Sequence, residues 1–186
     1  MSIVEASSVQ TGNAAAASAA QESKSVRIDM QAVQRRVATP GADKPLDVQQ
    51  VLINIGLLMM QSPGHRYFFL ADLEWLLYPP VQLHQFKLYM KGGRPVAYVS
   101  WAQLSEDAEA RFLVARRLAP TDWKSGDRSW MIDLISPFGG GEEVMGDLRD
   151  NILPGKSFKY WHQGPNGPQV KLVQPLETQA DAAAPK

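Results

Sequence analysis

The chain has 186 residues, of which 45% are hydrophobic and 20% are charged, and this length suits one medium-sized domain. Its 19 Lys and Arg residues balance 19 Asp and Glu residues, so no net positive charge favours nucleic acid or an anionic membrane. The absence of cysteine excludes disulfides, thiolate nucleophiles and zinc sites with cysteine ligands.

Composition divides the chain into one domain and two tails. Residues 1–45 are rich in Ala, Ser and Gln and predict a disordered tail, residues 46–174 predict the folded domain, and residues 175–186 predict a flexible C-terminal tail. The N-terminal residues show neither a signal-peptide pattern nor an apolar span long enough to cross a bilayer. We therefore expect a cytoplasmic protein without a membrane span.

The first element of the domain is predicted to be an amphipathic helix. Pro45 stands where a helix begins, and apolar residues recur at helical spacing over residues 48–59 until Ser62-Pro63-Gly64 ends the pattern. Gly56 lies inside this helix, where glycine costs about 1 kcal/mol relative to alanine. It either weakens the helix or lets another backbone approach closely.

A second helix and a β-hairpin are predicted next. The stretch FFLADLEWLL places Phe69 on one face with three leucines and stops at Pro79-Pro80. Residues 85–90 alternate between apolar and polar, with His84 expected in the same strand. The sequence KGGR then turns the chain into the strand PVAYVSWAQL.

The remainder of the domain alternates helices and strands. Ser105 followed by two acidic residues predicts the N-cap of a helix that ends near Arg116-Arg117. SWMIDLIS predicts a strand, PFGGG a bend, EEVMGDLRDNI a short helix, and SFKYWH with QVKLV a hairpin around Asn166-Gly167. The order α-α-β-β-α-β-α-β-β predicts an α+β fold with a mixed β-sheet flanked by helices.

His65 is the histidine whose position favours chemistry. It lies in a Ser-Pro-Gly-His-Arg turn directly after a helix, and loops on a rigid scaffold often carry reactive groups. An imidazole suits proton transfer near neutral pH, although a polar surface residue is the alternative interpretation. His84 and His162 are interpreted as structural, and no HExxH, CxxC or EF-hand pattern predicts a metal site.

Asp133 is a carboxylate in an apolar strand. Strict alternation predicts that its side chain shares a face with Met131 and Ile135. A carboxylate there is costly unless it is paired, so it would bind a cation or hold a histidine by its second ring nitrogen. A solvated strand face, or a bond to nearby backbone, is the alternative.

Two weaker patterns remain. Gly139 and Gly140, at the start of a helix, would expose N–H groups to an anion such as a pyrophosphate or a phosphopantetheine phosphate, but the two following glutamates favour a plain turn. A Ser-His-Asp hydrolase would use Ser62 or Ser100 as its nucleophile, yet the sequence contains no GxSxG elbow.

Several motifs together resemble the RTX toxin-activating lysine acyltransferases, also known as hemolysin-activating proteins. They are SPGHR, PVAYVSWA and DWKSGDRSWMIDLISPFG, in consistent order between Val51 and Asn151. The resemblance implies a GNAT-like fold and an enzyme that moves a fatty acyl group from acyl-acyl carrier protein to internal lysines of an RTX-type protoxin. It also implies that His65 is the base and that Asp133 orients it.

The same motifs supply the predicted substrate contacts. The expected substrate-binding residues are Ser62, Tyr98, Ser100, Trp101, Gly139 and Gly140. The aromatic residues among them either belong to the core or line an acyl tunnel. Backbone N–H groups of a splayed strand would hold the thioester oxygen, and we expect neither a metal nor a bound cofactor besides the acyl carrier protein donor. Candidate contacts for that acidic donor are Arg116, Arg117, Lys124 and Arg128.

Other interpretations stay open at this point. One is an acyl-CoA-dependent small-molecule N-acyltransferase, and another is a non-catalytic chaperone for an RTX-like protein. Direct transfer and an acyl-enzyme intermediate both fit, and a homodimer is the family expectation. Gly64 and Tyr67-Phe68 depart from the family pattern beside the presumed acyl entrance, so chain-length preference does not follow from the resemblance.

Overall fold

The computed structural model describes residues 47–176, which form a five-stranded sheet flanked by helices. The helices are α1 (Val48–Gln61), α2 (Asp72–Leu76), α3 (Tyr78–Gln82), α4 (Glu106–Ala115) and α5 (Gly141–Asp147). The strands are β1 (Phe86–Lys91), β2 (Arg94–Leu104), β3 (Arg128–Ile135), β4 (Phe158–Gly164) and β5 (Gly167–Val173). A 3-10 turn covers Pro120–Asp122 and a π turn covers Leu148–Ile152. The predicted α+β fold is confirmed, while the tail at residues 1–45, Pro45 and most of the C-terminal tail lie outside the described residues.

The sheet has the order β1-β2-β3-β4-β5. Both predicted hairpins are present, because β1 pairs with β2 and β4 pairs with β5 in antiparallel fashion. Strand β3 is antiparallel to β2 but parallel to β4, so the sheet is mixed. Within residues 47–176, no helix is both long and apolar enough to cross a membrane.

Helices cover both faces of the sheet. Alternate residues of β2 point to opposite faces, and this separates Tyr98, which packs with α1 and α3, from Ala97 and Val99, which pack with α5. Helix α4 covers a third apolar cluster around Trp123 and Trp130, both fully buried. The site described below lies at the edge of the cluster formed by α1.

The N-terminal ends of the two longest helices are determined by their capping residues. The Asp47 side chain accepts a hydrogen bond from the Gln50 N–H at the start of α1. The Ser105 hydroxyl accepts one from the Ala108 N–H at the start of α4, as predicted, and the acids that follow suit the positive end of the helix dipole.

Three details differ from the sequence-based predictions. A third helix, α3, precedes the sheet and contains Pro79-Pro80, because proline is tolerated in the first helical turn where its missing N–H is not needed. His84 is not in a strand: it lies in a turn with a φ of 54°, and β1 begins at Phe86. Phe69 precedes α2 and is 78% exposed, so it does not pack with the leucines of that helix.

Candidate active site

A β-bulge in β3 determines where the Asp133 side chain points. Ser100 is opposite Asp133 in the β2–β3 register and Trp101 is opposite Met131, so Ile132 is the extra residue between them. The predicted shared face with Met131 is therefore wrong. Asp133 does share the face of Ile135, which packs with α1, so that part of the prediction is confirmed. The bulge places Met131 on the opposite face, which is covered by α5.

The turn after α1 holds His65 against that face. The Ser62 carbonyl accepts hydrogen bonds from the N–H groups of His65 (3.1 Å) and Arg66 (3.0 Å), and the His65 carbonyl accepts one from Phe68. The Phe68 ring lies 5.4 Å from the imidazole centroid. These contacts fix the imidazole beside the end of the helix.

His65 joins Asp133 and Ser62 in a hydrogen-bonded chain. His65 Nε2 lies 2.9 Å from Asp133 Oδ1, and Ser62 Oγ lies 2.7 Å from His65 Nδ1. With the proton on Nε2 donated to the carboxylate, Nδ1 is the acceptor and the Ser62 hydroxyl donates to it. The side chains of His65 and Asp133 keep 16% and 11% of their surface exposed, so a substrate can reach them.

The charge of Asp133 controls the protonation of His65. Burial alone would lower the pKa of the imidazole, but the hydrogen bond to Asp133 and its negative charge outweigh burial and raise the pKa above the ordinary 6.5. The Leu134 N–H also donates to Asp133 Oδ1 (2.9 Å). The imidazole is thus a stronger base than a free histidine, and it is held in one tautomer.

The second carboxylate oxygen of Asp133 is buried, as are two hydroxyl groups of the neighbouring strand β2. Asp133 Oδ2 and the hydroxyl oxygens of Tyr98 and Ser100 are buried without a hydrogen-bond partner among the described residues. Burial and the charge of Asp133 raise the pKa of Tyr98, which therefore keeps its proton. Tyr98 and Ser100 are fully buried behind the dyad, where Ser100 is opposite Asp133 in the sheet.

An apolar groove opens on one side of the dyad. Its volume is about 340 Å³, and the lining residues include Ile53, Gly56, Leu57 and Met60 of α1 together with His65 and the segment 68–70. Several lining side chains are strongly exposed: Met60 at 69%, Phe69 at 78% and Leu70 at 85%. This much exposed apolar surface beside a polar dyad is typical of a binding site for an apolar ligand.

A wedge-shaped cavity opens on the other side. Strands β3 and β4 are in register at one Cα pair, Trp130 with Lys159, and beyond this pair they separate. The cavity between residues 131–134 and 160–162 has a volume of about 560 Å³ and includes Asp133 in its lining. Lys171 and Glu142 also line it, so it is the more polar of the two cavities. The dyad lies between the groove, on the His65 side, and the wedge, on the Asp133 side.

The structure brings some predicted site residues together and leaves others apart. Ser62, His65 and Asp133 form the chain described above, with Tyr98 and Ser100 buried behind it. Trp101 packs against the cluster covered by α5, away from the groove. Gly139 and Gly140 form a tight turn with φ values of 86° and 82° before α5, and their predicted anion contact stays a prediction. Across residues 47–176, no three His, Asp or Glu side chains come together as a metal site.

The groove residues of α1 are the main feature that sequence reasoning missed. Ile53, Gly56, Leu57 and Met60 recur at i, i+3, i+4 and i+7, which is itself a helical stripe. This second stripe lies beside the core stripe of the same helix, and only the core stripe is part of the prediction above. Two adjacent apolar faces on one helix are the sequence signal for the groove.

Comparison with known proteins identifies one matching family and several relatives named as lysine acyltransferases. Residues 44–177 match the sequence model of HlyC, the RTX toxin acyltransferase family. A lysine-acyltransferase of Vibrio cholerae, RtxC, is 38% identical over 110 residues, which cover 57% of this chain and 71% of the relative. The RTX-I toxin-activating lysine-acyltransferase ApxIC of Actinobacillus pleuropneumoniae is 35% identical over 132 residues, or 70% of this chain and 76% of the relative.

A third relative carries a more specific name. The protein-lysine myristoyltransferase HlyC of Escherichia coli is 39% identical over 98 residues, which cover 52% of this chain and 56% of the relative. The family match covers well over half of the chain and includes the Ser62 turn, the bulged strand β3 and both cavities. By this match, the chain belongs to the RTX toxin acyltransferase family.

Proposed function

We propose that this protein transfers a fatty acyl group from acyl-acyl carrier protein to the ε-amino group of internal lysines of an RTX-type protoxin. The observation that carries the proposal is the position of the His65–Asp133 dyad between an apolar groove and a more polar wedge. An acyl thioester has the same two-part character, with an apolar chain on one side of the reacting carbon and a polar arm on the other. The relatives named as lysine acyltransferases support the same reaction.

His65 supplies the base that the reaction needs. A free lysine has a pKa near 10.4 and is mostly protonated at neutral pH, so it must lose a proton before its nitrogen can attack. The nitrogen forms a bond to the thioester carbonyl carbon, and the carbon–sulfur bond breaks. A lysine ammonium first loses one proton to the solvent, and the neutral amine takes the place of the Ser62 hydroxyl at His65 Nδ1. During attack the nitrogen passes a second proton to Nδ1, and the imidazolium then gives it to the leaving thiolate sulfur.

Asp133 acts by holding His65. Its carboxylate accepts a hydrogen bond from the Nε2–H group, leaves Nδ1 as the unprotonated nitrogen and stabilises the imidazolium that forms during transfer. The Leu134 N–H is already used by this carboxylate, so the donors for the thioester oxygen are other N–H groups of β3 and β4 beyond the Trp130–Lys159 pair.

The wedge is the entrance for the thioester arm of the donor. Lys171 lines it, and the Arg116 guanidinium lies 4.6 Å from the ring centroid of Trp161, another lining residue. These exposed cations suit the phosphate of a phosphopantetheine arm and an acidic carrier protein. Arg128 is less suited to this role than predicted, because it pairs with Glu106 and Glu109.

The test is the intact mass of an RTX protoxin after incubation with this protein and acyl-acyl carrier protein. We expect a fatty-acyl mass increase with the wild type, a loss of at least about 100-fold in rate with His65→Ala, and no change with His84→Asn. His84 is the matched control because it is an exposed histidine in a left-handed turn, a conformation that asparagine tolerates.

Parallel reactions and a binding assay separate the alternatives. Transfer from acyl-CoA to small amines, without protoxin modification, would favour a small-molecule N-acyltransferase. Protoxin binding without any mass increase, unaffected by His65→Ala, would favour a non-catalytic chaperone. Either result would overturn the proposal.

A further inference from the structure

Gly56 is a residue that the fold itself does not require. It lies in the middle of the 14-residue helix α1, where glycine costs about 1 kcal/mol relative to alanine. Its φ is not positive, and an added Cβ atom would meet no atom within 4 Å. Neither backbone conformation nor close packing therefore explains a glycine at this position. Of the two alternatives that the sequence left open, the close approach of another backbone is absent within the described residues.

Gly56 lies instead on the floor of the apolar groove. It belongs to the second stripe of α1, with Ile53 at 57%, Leu57 at 44% and Met60 at 69% exposed. On the core stripe of the same helix, Ile55 and Leu58 are both 0% exposed. Helix α1 thus presents apolar side chains to the core and to the groove, and the groove stripe has a gap at Gly56.

The groove runs from the dyad along α1. His65 lines the end that contains the reacting group, and Ile53 lies seven residues before Met60, or about 10 Å further along the helix axis. An apolar ligand whose reacting carbon lies at His65 must pass over Gly56 to reach Ile53. A side chain at position 56 would stand in its path, because the space above this residue is open.

We propose that Gly56 determines how long a fatty acyl chain the groove accepts, by leaving the helix surface clear between Met60 and Ile53. The occupant is the acyl chain of the donor, since the groove is apolar and continuous with the dyad. This inference rests on the proposed acyl transfer. A larger residue at position 56 shortens the groove and shifts the preference to shorter chains.

The transfer experiment uses a mixture of octanoyl, dodecanoyl, myristoyl and palmitoyl carrier proteins with an RTX protoxin as acceptor. We expect Gly56→Leu to raise the ratio of octanoyl to palmitoyl product at least about tenfold. An apolar pocket discriminates by this much between ligands that differ by a few methylene groups. Gly56→Ala should shift the ratio in the same direction by less. Gly146→Leu is the matched control: Gly146 is also helical, has open space where a Cβ atom would be added and lines neither cavity.

A second assay needs no turnover. The fluorescent fatty acid cis-parinaric acid should bind the wild type and Gly146→Leu equally, and should bind Gly56→Leu at least about tenfold more weakly. Equal binding to all three proteins, or an unchanged product ratio with active enzyme, would overturn the role of Gly56 while leaving acyl transfer intact. Absence of transfer from every donor would overturn the proposed function, and the binding assay would still decide the role of Gly56. Thermal unfolding checks that each variant is folded.

Discussion

Three carboxylates form side-chain hydrogen bonds to residues distant in sequence, and they differ in how many of their oxygens have a partner. Asp147 accepts hydrogen bonds from Lys87 Nζ (2.6 Å), Tyr89 Oη (2.6 Å) and Asn151 Nδ2 (2.8 Å). Glu109 accepts them from Trp130 Nε1 (2.6 Å), Lys159 Nζ (2.8 Å) and Arg128 Nη1 (2.9 Å). In both groups, each carboxylate oxygen has a partner and a permanently charged cation is present.

Asp133 has neither of these features. Its Oδ1 accepts hydrogen bonds from His65 and Leu134, while its Oδ2 is buried without a partner among the described residues. Its cationic partner is an imidazole whose charge depends on pH. Burial alone would raise the pKa of Asp147, yet its hydrogen bonds lower that pKa and keep the group ionised. A carboxylate whose two oxygens both have partners, here called saturated, stabilises the fold. Asp133 is unsaturated, and it acts on an imidazole that changes its charge.

The largest expected effect is on stability, at the saturated site. Asp147→Ala leaves the Lys87 ammonium and the Tyr89 hydroxyl without their acceptor, so the free energy of unfolding should fall by about 3 kcal/mol. Chemical denaturation measures this. Asp150→Ala, which removes an exposed partner of Arg149, is the control and should change stability little. A loss below about 1 kcal/mol for Asp147→Ala would contradict the comparison.

The stability loss caused by Asp147→Ala should depend on pH. The pKa of Asp147 is lowered in the folded state from an ordinary value of 3.8, so its contribution is fully present above that value. The stability difference between wild type and variant should therefore persist down to about pH 4 and disappear as the pH falls through the lowered pKa.

The next effect is on activity, at the unsaturated site. Asp133→Asn removes the charge that raises the pKa of His65, so the acid limb of the pH–rate profile should move to lower pH. The maximal rate should fall about 100-fold, because an amide neither fixes the tautomer nor stabilises the imidazolium. Asp122→Asn changes a carboxylate that pairs with Arg111 instead, and should leave the acid limb in place. An unshifted limb in Asp133→Asn would contradict the role of Asp133.

The stability of the dyad should depend on pH in the opposite sense to that of Asp147. Because the folded pKa of His65 is raised, the pair stabilises the protein most below the unfolded pKa of about 6.5. The stability difference between wild type and Asp133→Asn should shrink as the pH rises through the raised pKa, and denaturation at several pH values measures it.

The smallest expected effect distinguishes direct transfer from an acyl-enzyme. Ser62 is 8% exposed and donates a hydrogen bond to His65 Nδ1, so Ser62→Ala should loosen the imidazole and lower the rate about tenfold. Ser157→Ala, in the exposed turn before β4, should have no effect. A loss equal to that of His65→Ala, with an acyl adduct on Ser62 in the wild type, would instead identify Ser62 as the nucleophile.

Local signals predicted most of the secondary structure. The N-cap at Ser105, the turn at Gly167 with a φ of 98° and the alternation over residues 85–90, most of which form β1, all act over a few residues. Predictions failed where a neighbouring element decided the outcome. His84 fits the alternation of the strand that follows, but it lies in the turn after α3. Phe69 fits the helical spacing of α2, but it precedes that helix.

The sequence by itself determined the α+β class, and its motifs singled out His65 and Asp133, because side-chain chemistry and short-range periodicity are written in consecutive residues. Only the tertiary structure decided that these two side chains, 68 positions apart, lie within hydrogen-bond distance. The bulge at Ile132 likewise depends on the pairing of two strands, and its one extra residue places Met131 and Asp133 on opposite faces of the sheet. The groove and the wedge likewise exist only between elements, so no single stretch of sequence specifies them.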